Sequence, residues 1–403
     1  MRPMDEPPGS GWPTGHRHVE EGLLNDADRL LAADQSGMLR ALASAGAQLR
    51  ESASLAAEAN LSSLADEGRP RAVVVAGVGT AARTCDLLET VAGPRCPVPV
   101  VAHRNAGIPG WVGAADAVIA VSASGRSPEA LAAAEAAARR GARLVAIGPP
   151  GSQLQSVAER ARASYVPVPR RAPARASLWA LTVPVLLAAR TLGLVRIAEA
   201  DFAETAARLD DDAERCRPGA DSFVNPAKAL ALDLANSIPV VWGSSPLATV
   251  AARRVGDMLS ANARYPVVAG SLGEAGRGRV GLLDGVYGGL AESARDIFAD
   301  PGEEHEATRL RVLLLRDGGL PDEEAAAAEP SVVEERRADA IVELATRRGV
   351  RCGVIQAEGG SPLERLASLI AVPDFASVYL ALAHGLDPTA VPAVDEMKEF
   401  TRR

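Results

Sequence analysis

The chain has 403 residues, of which 47% are hydrophobic and 23% are charged, a composition typical of a globular protein with two or three domains of ~150 residues. Its formal net charge of −8 argues against broad electrostatic binding to nucleic acid or to an anionic membrane. The basic residues are 41 arginines and two lysines, Lys228 and Lys398. Coding bias explains the arginine excess, and a lysine that escapes it is a candidate for a role that arginine cannot fill.

Several classes of protein are disfavoured by what the sequence lacks. No basic segment followed by an apolar one is visible near the N-terminus, which predicts a cytoplasmic location. The longest apolar stretch, Leu178–Val195, is broken by Pro184 and Arg190, so we expect a buried helix and no membrane span. The four cysteines form no CxxC pair and the five histidines form no ligand cluster. We therefore expect reduced thiols and no metal site.

The predicted elements begin with a flexible Pro/Gly-rich leader over residues 1–20 and helical periodicity over 23–67. Five apolar runs follow, and most are separated by Ala-rich helical stretches. The runs are Arg71–Gly77, Pro97–Ala102, Asp116–Ser122, Arg143–Gly148 and Ser164–Pro169. Continuous apolar strands that alternate with helices are typical of a parallel sheet covered on both faces. Two long helices are predicted next, near 177–193 and 197–216.

A second α/β cycle of similar size completes the chain. Its predicted strands are Ile238–Gly243, Tyr265–Gly270, Arg279–Asp284, Arg309–Asp317 and Val350–Ala357. The predicted fold class is α/β, with two tandem domains that each hold a doubly wound, flavodoxin-like parallel sheet flanked by helices. We place these domains at 21–195 and 226–403, with a helical linker at 196–225. Asp322–Pro330 is predicted to be a charged surface loop.

A candidate anion site follows the third predicted strand, where the chain reads Ser122-Ala-Ser-Gly-Arg-Ser-Pro-Glu129 before a long helix. In doubly wound sheets, ligands lie at the carboxyl ends of the strands. The hydroxyls of Ser122, Ser124 and Ser127 can join backbone N–H groups and the helix dipole in holding a tetrahedral anion. Gly125 lets the backbone approach closely. An ordinary N-cap is the competing interpretation, but three serines and a glycine in six residues favour an anion cradle.

A second glycine-containing loop follows the first predicted strand, at Gly77-Val-Gly-Thr-Ala81. Strings of this kind also occur in dinucleotide-binding sites, which require an acidic residue at the end of the next strand. Here the next strand ends in His103 and Arg104. Nicotinamide binding is therefore disfavoured, and we expect no cofactor.

The serine string resembles the phosphosugar-binding signature of sugar isomerase (SIS) domains. Three further strings are similar to those of the bifunctional phosphoglucose/phosphomannose isomerases of bacteria and archaea. They are the Gly77–Thr80 loop, Pro173-Ala-Arg-Ala-Ser177 and the tail Phe375–Phe400. The resemblance implies two tandem SIS domains, the first with the phosphate cradle and the second of the phosphoglucose isomerase C-terminal type. It also implies a hexose 6-phosphate or related phosphosugar as ligand, and a homodimer.

Carried over residue by residue, the resemblance implies a phosphosugar site in the first domain. Its substrate-binding residues would be Gly77, Gly79, Thr80, Ser122, Ser124, Gly125 and Ser127. The resemblance also places Arg175 near the reacting carbons and Lys398 near the sugar oxygens. Cations there would polarise the carbonyl and stabilise a developing enediolate.

The sequence departs from the family at both proton-transfer positions. The family has its base, a Glu, in an ENAK-like string, which here reads Ser260-Ala-Asn-Ala-Arg264 with Ala261 in the Glu position. The family's ring-opening His matches Arg277. Neither residue can move a proton near neutral pH. Glu274 is the nearest carboxylate and could be a displaced catalytic base, although a solvated loop residue is the competing interpretation.

These observations predict a phosphosugar-binding protein of this family with weak or no isomerase activity. The alternative is an active isomerase that interconverts fructose 6-phosphate with glucose 6-phosphate or mannose 6-phosphate through a displaced base, with Glu274, Glu129 and His384 as candidates. A third hypothesis is an interaction protein in which the cradle is vestigial. At this point the sequence leaves open whether the chain is an enzyme.

Overall fold

The computed structural model describes residues 19–291, 308–318 and 330–402. Nearly all of the predicted leader, 1–20, and residues 322–329 of the predicted surface loop lie outside the described residues. The predicted domain boundaries and linker stay predictions. The two sheets described below fall within the two predicted domains.

Five parallel strands form the first sheet, in the order β2-β1-β3-β4-β5. Their bounds are Val73–Ala76 (β1), Val100–His103 (β2), Ala117–Val121 (β3), Arg143–Gly148 (β4) and Ser164–Pro167 (β5). Val73 and Val75 of β1 pack into one hydrophobic core, whereas Val74 and Ala76 pack into another, because side chains alternate along a strand. Both faces of the sheet are therefore covered, as the continuous apolar runs predict.

The second sheet is also parallel, with four strands in the order β7-β6-β8-β9. Their bounds are Ser237–Gly243 (β6), Val268–Ser271 (β7), Arg309–Arg316 (β8) and Arg351–Gln356 (β9). The predicted strand at Arg279–Asp284 is wrong, since this segment is a 3-10 turn. Leu283 is buried while Leu282 is exposed, so the segment covers one face only and cannot form a strand that is buried on both sides.

Helices cover both sheets. Their bounds are Glu21–Leu24 (α1), Ala27–Ala33 (α2), Met38–Ala43 (α3), Ala45–Glu58 (α4), Thr80–Ala92 (α5), Pro128–Arg139 (α6), Gln153–Ala161 (α7), Leu178–Thr191 (α8), Glu199–Arg215 (α9), Pro226–Leu234 (α10), Pro246–Met258 (α11), Leu272–Ala275 (α12), Pro330–Arg347 (α13), Pro362–Ala383 (α14) and Pro392–Arg402 (α15). The α/β class with two helix-flanked parallel sheets is confirmed. By length and composition α14 could cross a membrane, but 94% of its most apolar window is buried inside the protein.

One hydrophobic core joins the two halves of the chain. It contains Val73 of β1 and Val241 of β6, together with α5, α8, α11 and α14. Within it, α5 packs against both α8 and α11. This shared core holds the carboxyl edge of the first sheet against helices of the second half.

Lys228, one of the two lysines, is buried. It lies on α10 with 1% relative exposure. Its ammonium donates hydrogen bonds to the carbonyls of Pro218 (2.6 Å) and Ala220 (2.7 Å) and lies 5.5 Å from the ring centroid of Tyr379. Burial lowers the pKa of this ammonium. Lys228 therefore fastens the loop before α10 to the core.

Candidate functional site

The serine loop after β3 forms a compact turn that ends in the N-cap of α6. Ser122 is buried, and its Oγ accepts a hydrogen bond from the backbone N of Ser127 at 3.4 Å. Ser124 Oγ lies 3.4 Å from Ser122 Oγ. A Cβ on Gly125, whose φ is +67°, would lie 2.3 Å from Cβ of Ser152, so only glycine fits. The turn thus gathers three hydroxyls at a helix N-terminus, where an anion is stabilised.

The Gly77–Thr80 loop leaves the same edge of the sheet. β1 pairs with β3 in parallel register, so this loop and the serine loop lie side by side. A Cβ on Gly77 would lie 2.9 Å from the Val121 carbonyl oxygen. Gly79, with φ +59°, precedes α5, whose first residue is Thr80. The predicted phosphate ligands are therefore brought together at the N-termini of two helices.

Glu129 adds a carboxylate beside these hydroxyls. Its Oε2 accepts a hydrogen bond of 2.7 Å from Ser127 Oγ. The Ser127 Oγ also lies 3.5 Å from the backbone N of Ala130, as an N-cap. A bound dianion would compete with Glu129 for the Ser127 hydroxyl.

Arg175 joins three segments that are far apart in sequence. It lies in a 3-10 turn, Ala174–Ala176, after β5. Its Nη1 donates to the carbonyl of Ala261 (2.8 Å) and to Oδ1 of Asn262 (3.2 Å), and its Nη2 donates to the carbonyl of Thr389 (2.8 Å). Burial lowers the pKa of this guanidinium, and neighbouring Arg254 lowers it further. Arg175 thus fixes the segments that surround it as well as being a predicted substrate ligand.

A buried ion pair holds the backbone of Arg175 in place. Arg254 on α11 and Asp374 on α14 lie 2.8 Å apart, with side-chain exposures of 3% and 10%. The same guanidinium donates to the backbone carbonyl of Arg175 at 2.5 Å. Burial raises the pKa of Asp374, and the charge of Arg254 opposes that rise. This pair positions Arg175, and the sequence gives no signal for it because its two members are 120 residues apart.

Ala261 occupies a π-helical turn, Leu259–Ala263, that extends α11. Such turns are frequent at functional sites. The hydrogen bond from Arg175 brings the Ser260–Arg264 string to the predicted sugar site. The side chain at position 261 is a methyl group, without proton chemistry. Asn262 in the same turn is buried and donates to Ser377 Oγ at 2.8 Å.

Glu274 and Arg277 lie at or just after α12 in the second half, and His384 directly follows α14. Glu274 is an exposed residue of α12, which follows β7 in the second sheet. Arg277 is exposed, and its backbone N donates to the Glu274 carbonyl at 2.9 Å. His384 caps α14, and its Nε2 lies 2.6 Å from the hydroxyl of Tyr265. Among the described residues, the side chains of Glu274 and Arg277 make no hydrogen bond or ion pair with Arg175.

Lys398 lies on α15 with 55% of its side chain exposed. Its ammonium contacts Asp395 Oδ1 at 3.0 Å. α15 begins three residues after Thr389, whose carbonyl accepts from Arg175. Lys398 lies about 9 Å along the helix from Pro392. The chain that carries Lys398 is therefore anchored beside Arg175.

The second half places a carboxylate where the first half has the cradle. β8 corresponds to β3, because each lies on the same side of its central strand, β6 or β1. Ser122 follows β3, whereas Asp317 follows β8. Asp317 accepts hydrogen bonds from Ser245 Oγ (2.8 Å) and Arg365 Nε (2.9 Å). An internal anion thus occupies the second half's counterpart of the cradle.

Within the described residues, no three His, Cys, Asp or Glu side chains are grouped so that they could hold a metal ion. The expected absence of a metal or cofactor stays a prediction.

Comparison with known proteins agrees with the two-sheet architecture. The profile of the bacterial phospho-glucose isomerase C-terminal SIS domain matches residues 223–400. A bifunctional phosphoglucose/phosphomannose isomerase of Caldicellulosiruptor bescii is 28% identical over 331 residues, which cover 81% of this chain and 88% of the relative.

Two solved structures show the same fold. A hypothetical protein from Thermus thermophilus superposes with a TM-score of 0.68 at 17% identity, covering 94% of each chain. The C-terminal domain of glucosamine-fructose-6-phosphate aminotransferase from Francisella tularensis gives a TM-score of 0.56 at 12% identity, covering 89% of this chain and 98% of that one. Residues 223–400 therefore match a SIS domain, and the chain as a whole resembles a bifunctional phosphoglucose/phosphomannose isomerase.

Proposed function

We propose that this protein binds a hexose 6-phosphate or a related phosphosugar and has weak or no isomerase activity. One observation carries the proposal. The string that holds the base in the family lies against Arg175, with a hydrogen bond of 2.8 Å to the Ala261 carbonyl, yet the side chain there is a methyl group. Loss of a general base lowers the reaction rate by roughly 10²–10⁴-fold.

The proposed phosphate site uses the first half only, whereas both halves contribute to the sugar site. The phosphate would accept hydrogen bonds from the hydroxyls of Ser122, Ser124, Ser127 and Thr80 at the N-termini of α5 and α6. Arg175 and Lys398 would contact the sugar. Asp317 disfavours a second phosphate at the corresponding edge of the second sheet, because two anions there would repel each other.

A displaced base is the second candidate function, with the chain as an active aldose–ketose isomerase. Glu129 favours it most, because this carboxylate accepts a hydrogen bond from Ser127 within the cradle. A substrate bound at the cradle would lie near a group capable of proton transfer. Glu274 and His384 are the other candidates.

We further propose a cytoplasmic homodimer. α15 exposes Val394, Met397 and Phe400 at 38%, 60% and 73%. These residues are spaced by three, so they share one helix face that a second copy could cover. A mass of one chain in light scattering at micromolar concentration would contradict the dimer.

The binding proposal is tested by calorimetry with fructose 6-phosphate on the wild type and on Ser124→Ala. We expect binding to the wild type and about tenfold weaker binding to the variant, because a hydrogen bond to a charged group is worth about 1.5–3 kcal/mol. Ser156→Ala is the matched control, since Ser156 is exposed on α7 and makes only a 3.5 Å contact with the Ser152 carbonyl. Unchanged binding in Ser124→Ala would favour a vestigial cradle.

A further inference from the structure

An arginine-lined recess lies between the two halves, beside the cradle. It has a volume of about 520 Å³ and lies where the start of α5 meets the end of α11. Its polar lining comes from Arg83, Arg104, Arg253, Asp257 and Ser260. None of these residues has a role in the proposed binding of a monophosphate.

The recess gathers three guanidiniums, two of which are hydrogen-bonded to carboxylates. Arg83 makes two hydrogen bonds to Asp257, at 2.6 and 3.0 Å, and one to Asp86 at 2.7 Å. Arg104 also donates to Asp86, at 2.9 Å. In the described part of the chain, the exposed guanidinium of Arg253 has neither a hydrogen bond nor an ion pair. The charges of Arg104 and Arg253 also act on nearby Glu89, where they oppose the rise in pKa that burial causes. Three guanidiniums thus lie near three carboxylates, and among the described residues only Arg253 of the three arginines makes no hydrogen bond to a carboxylate.

The position of the recess relates it to the predicted sugar site. Arg83 lies one turn along α5 from Thr80, about 5–6 Å away between Cβ atoms. Arg104 directly follows β2, and the neighbouring Gly77 N donates to the His103 carbonyl at 3.1 Å. On the opposite wall, Ser260 adjoins Ala261. The recess therefore borders both the phosphate loop and the turn that contacts Arg175.

We propose that this recess binds the second phosphate of a sugar bisphosphate whose first phosphate occupies the serine cradle. The inference rests on the proposed function, which supplies the first phosphate site. Guanidinium groups bind phosphate oxygens through paired, charge-assisted hydrogen bonds. A salt-bridge network around α5 explains Arg83 and Arg104. Arg253 interacts with Glu89 through charge alone, so its hydrogen-bond donors remain available to a ligand.

The test compares fructose 1,6-bisphosphate with fructose 6-phosphate by calorimetry on the wild type and on Arg253→Gln. We expect the bisphosphate to bind the wild type at least about tenfold more tightly, the size of one charged hydrogen bond. Arg253→Gln should lose that difference and keep its affinity for the monophosphate within about twofold, as an exposed residue outside the cradle would. Arg347→Gln on α13 is the control, because Arg347 is exposed and lies outside the recess.

Three results would overturn the proposal. The first is equal affinity of the wild type for both ligands. The second is an equal loss for both ligands in Arg253→Gln, which would indicate general electrostatic attraction. The third is tighter binding of fructose 6-phosphate when inorganic phosphate is added, which would assign the recess to a free anion. Absence of binding by either sugar would instead contradict the proposed function itself.

Discussion

At the scale of single residues, the two lysines occupy opposite environments. Lys228 is 1% exposed and donates to two loop carbonyls. Lys398 is on an exposed helix and contacts Asp395. At both positions the side chain ends in a compact ammonium, whose geometry the planar guanidinium of arginine cannot reproduce. The first lysine therefore has a structural role, and we expect the second to act on the ligand.

Single substitutions of the two lysines test these two roles separately. We expect Lys228→Met to lower the free energy of unfolding by about 1–3 kcal/mol, because two buried carbonyls lose their donor. Lys398→Ala should leave that free energy within about 0.5 kcal/mol and weaken fructose 6-phosphate binding about tenfold. Urea denaturation and calorimetry on both variants are the measurements, and each variant is the control for the other. The assignment of Lys398 fails if its variant binds normally.

At the scale of elements, continuous apolar runs predicted most strands of the two sheets. Arg143–Gly148 is predicted and observed with identical bounds. The strand predicted at Arg279–Asp284 is wrong because a short apolar run does not show whether one or both faces of the segment will be buried. The partners of Arg175 could not be predicted, since Ala261 and Thr389 are 86 and 214 residues away in sequence. Such contacts depend on how the halves pack.

An ion pair at the amino ends of β1 and β3 gives an element-scale prediction. Asp116, fully buried, accepts hydrogen bonds from Arg71 (2.7 and 3.0 Å) and from the backbone N of Gly113 (2.8 Å). Burial raises the pKa of this carboxyl, but these hydrogen bonds outweigh burial and the pKa lies below its usual value. Its stabilising contribution is therefore present above the unfolded-state pKa of about 3.9 and is lost as the pH falls through the folded-state pKa.

We accordingly expect Asp116→Asn to cost about 1–3 kcal/mol of unfolding free energy at pH 7. The difference from the wild type should shrink as the pH falls below about 4. Urea denaturation across this range is the measurement. Asp210→Asn removes an exposed pair with Arg50 and should cost at most about 1 kcal/mol. If the difference in unfolding free energy between the wild type and Asp116→Asn stayed constant down to pH 2, the stability would not depend on ionisation of Asp116.

At the scale of the whole molecule, the two halves are similar in fold and different in chemistry. The first presents hydroxyls and glycines at its carboxyl edge, and the second presents Asp317, already bonded to Ser245 and Arg365. The second half contributes the π-helical turn and the Arg254–Asp374 pair to the region around Arg175. We infer that one phosphosugar binds per chain and that both halves enclose it.

The separation of binding from catalysis is tested most directly by a coupled assay of fructose 6-phosphate conversion to glucose 6-phosphate and mannose 6-phosphate. It should be run on protein whose binding of the same sugar has been measured by calorimetry, beside the Caldicellulosiruptor bescii relative. We predict saturable binding with turnover at least about 100-fold below that of the relative, the smallest loss expected without a general base. Turnover equal to that of the relative would contradict the proposal and point to a displaced base.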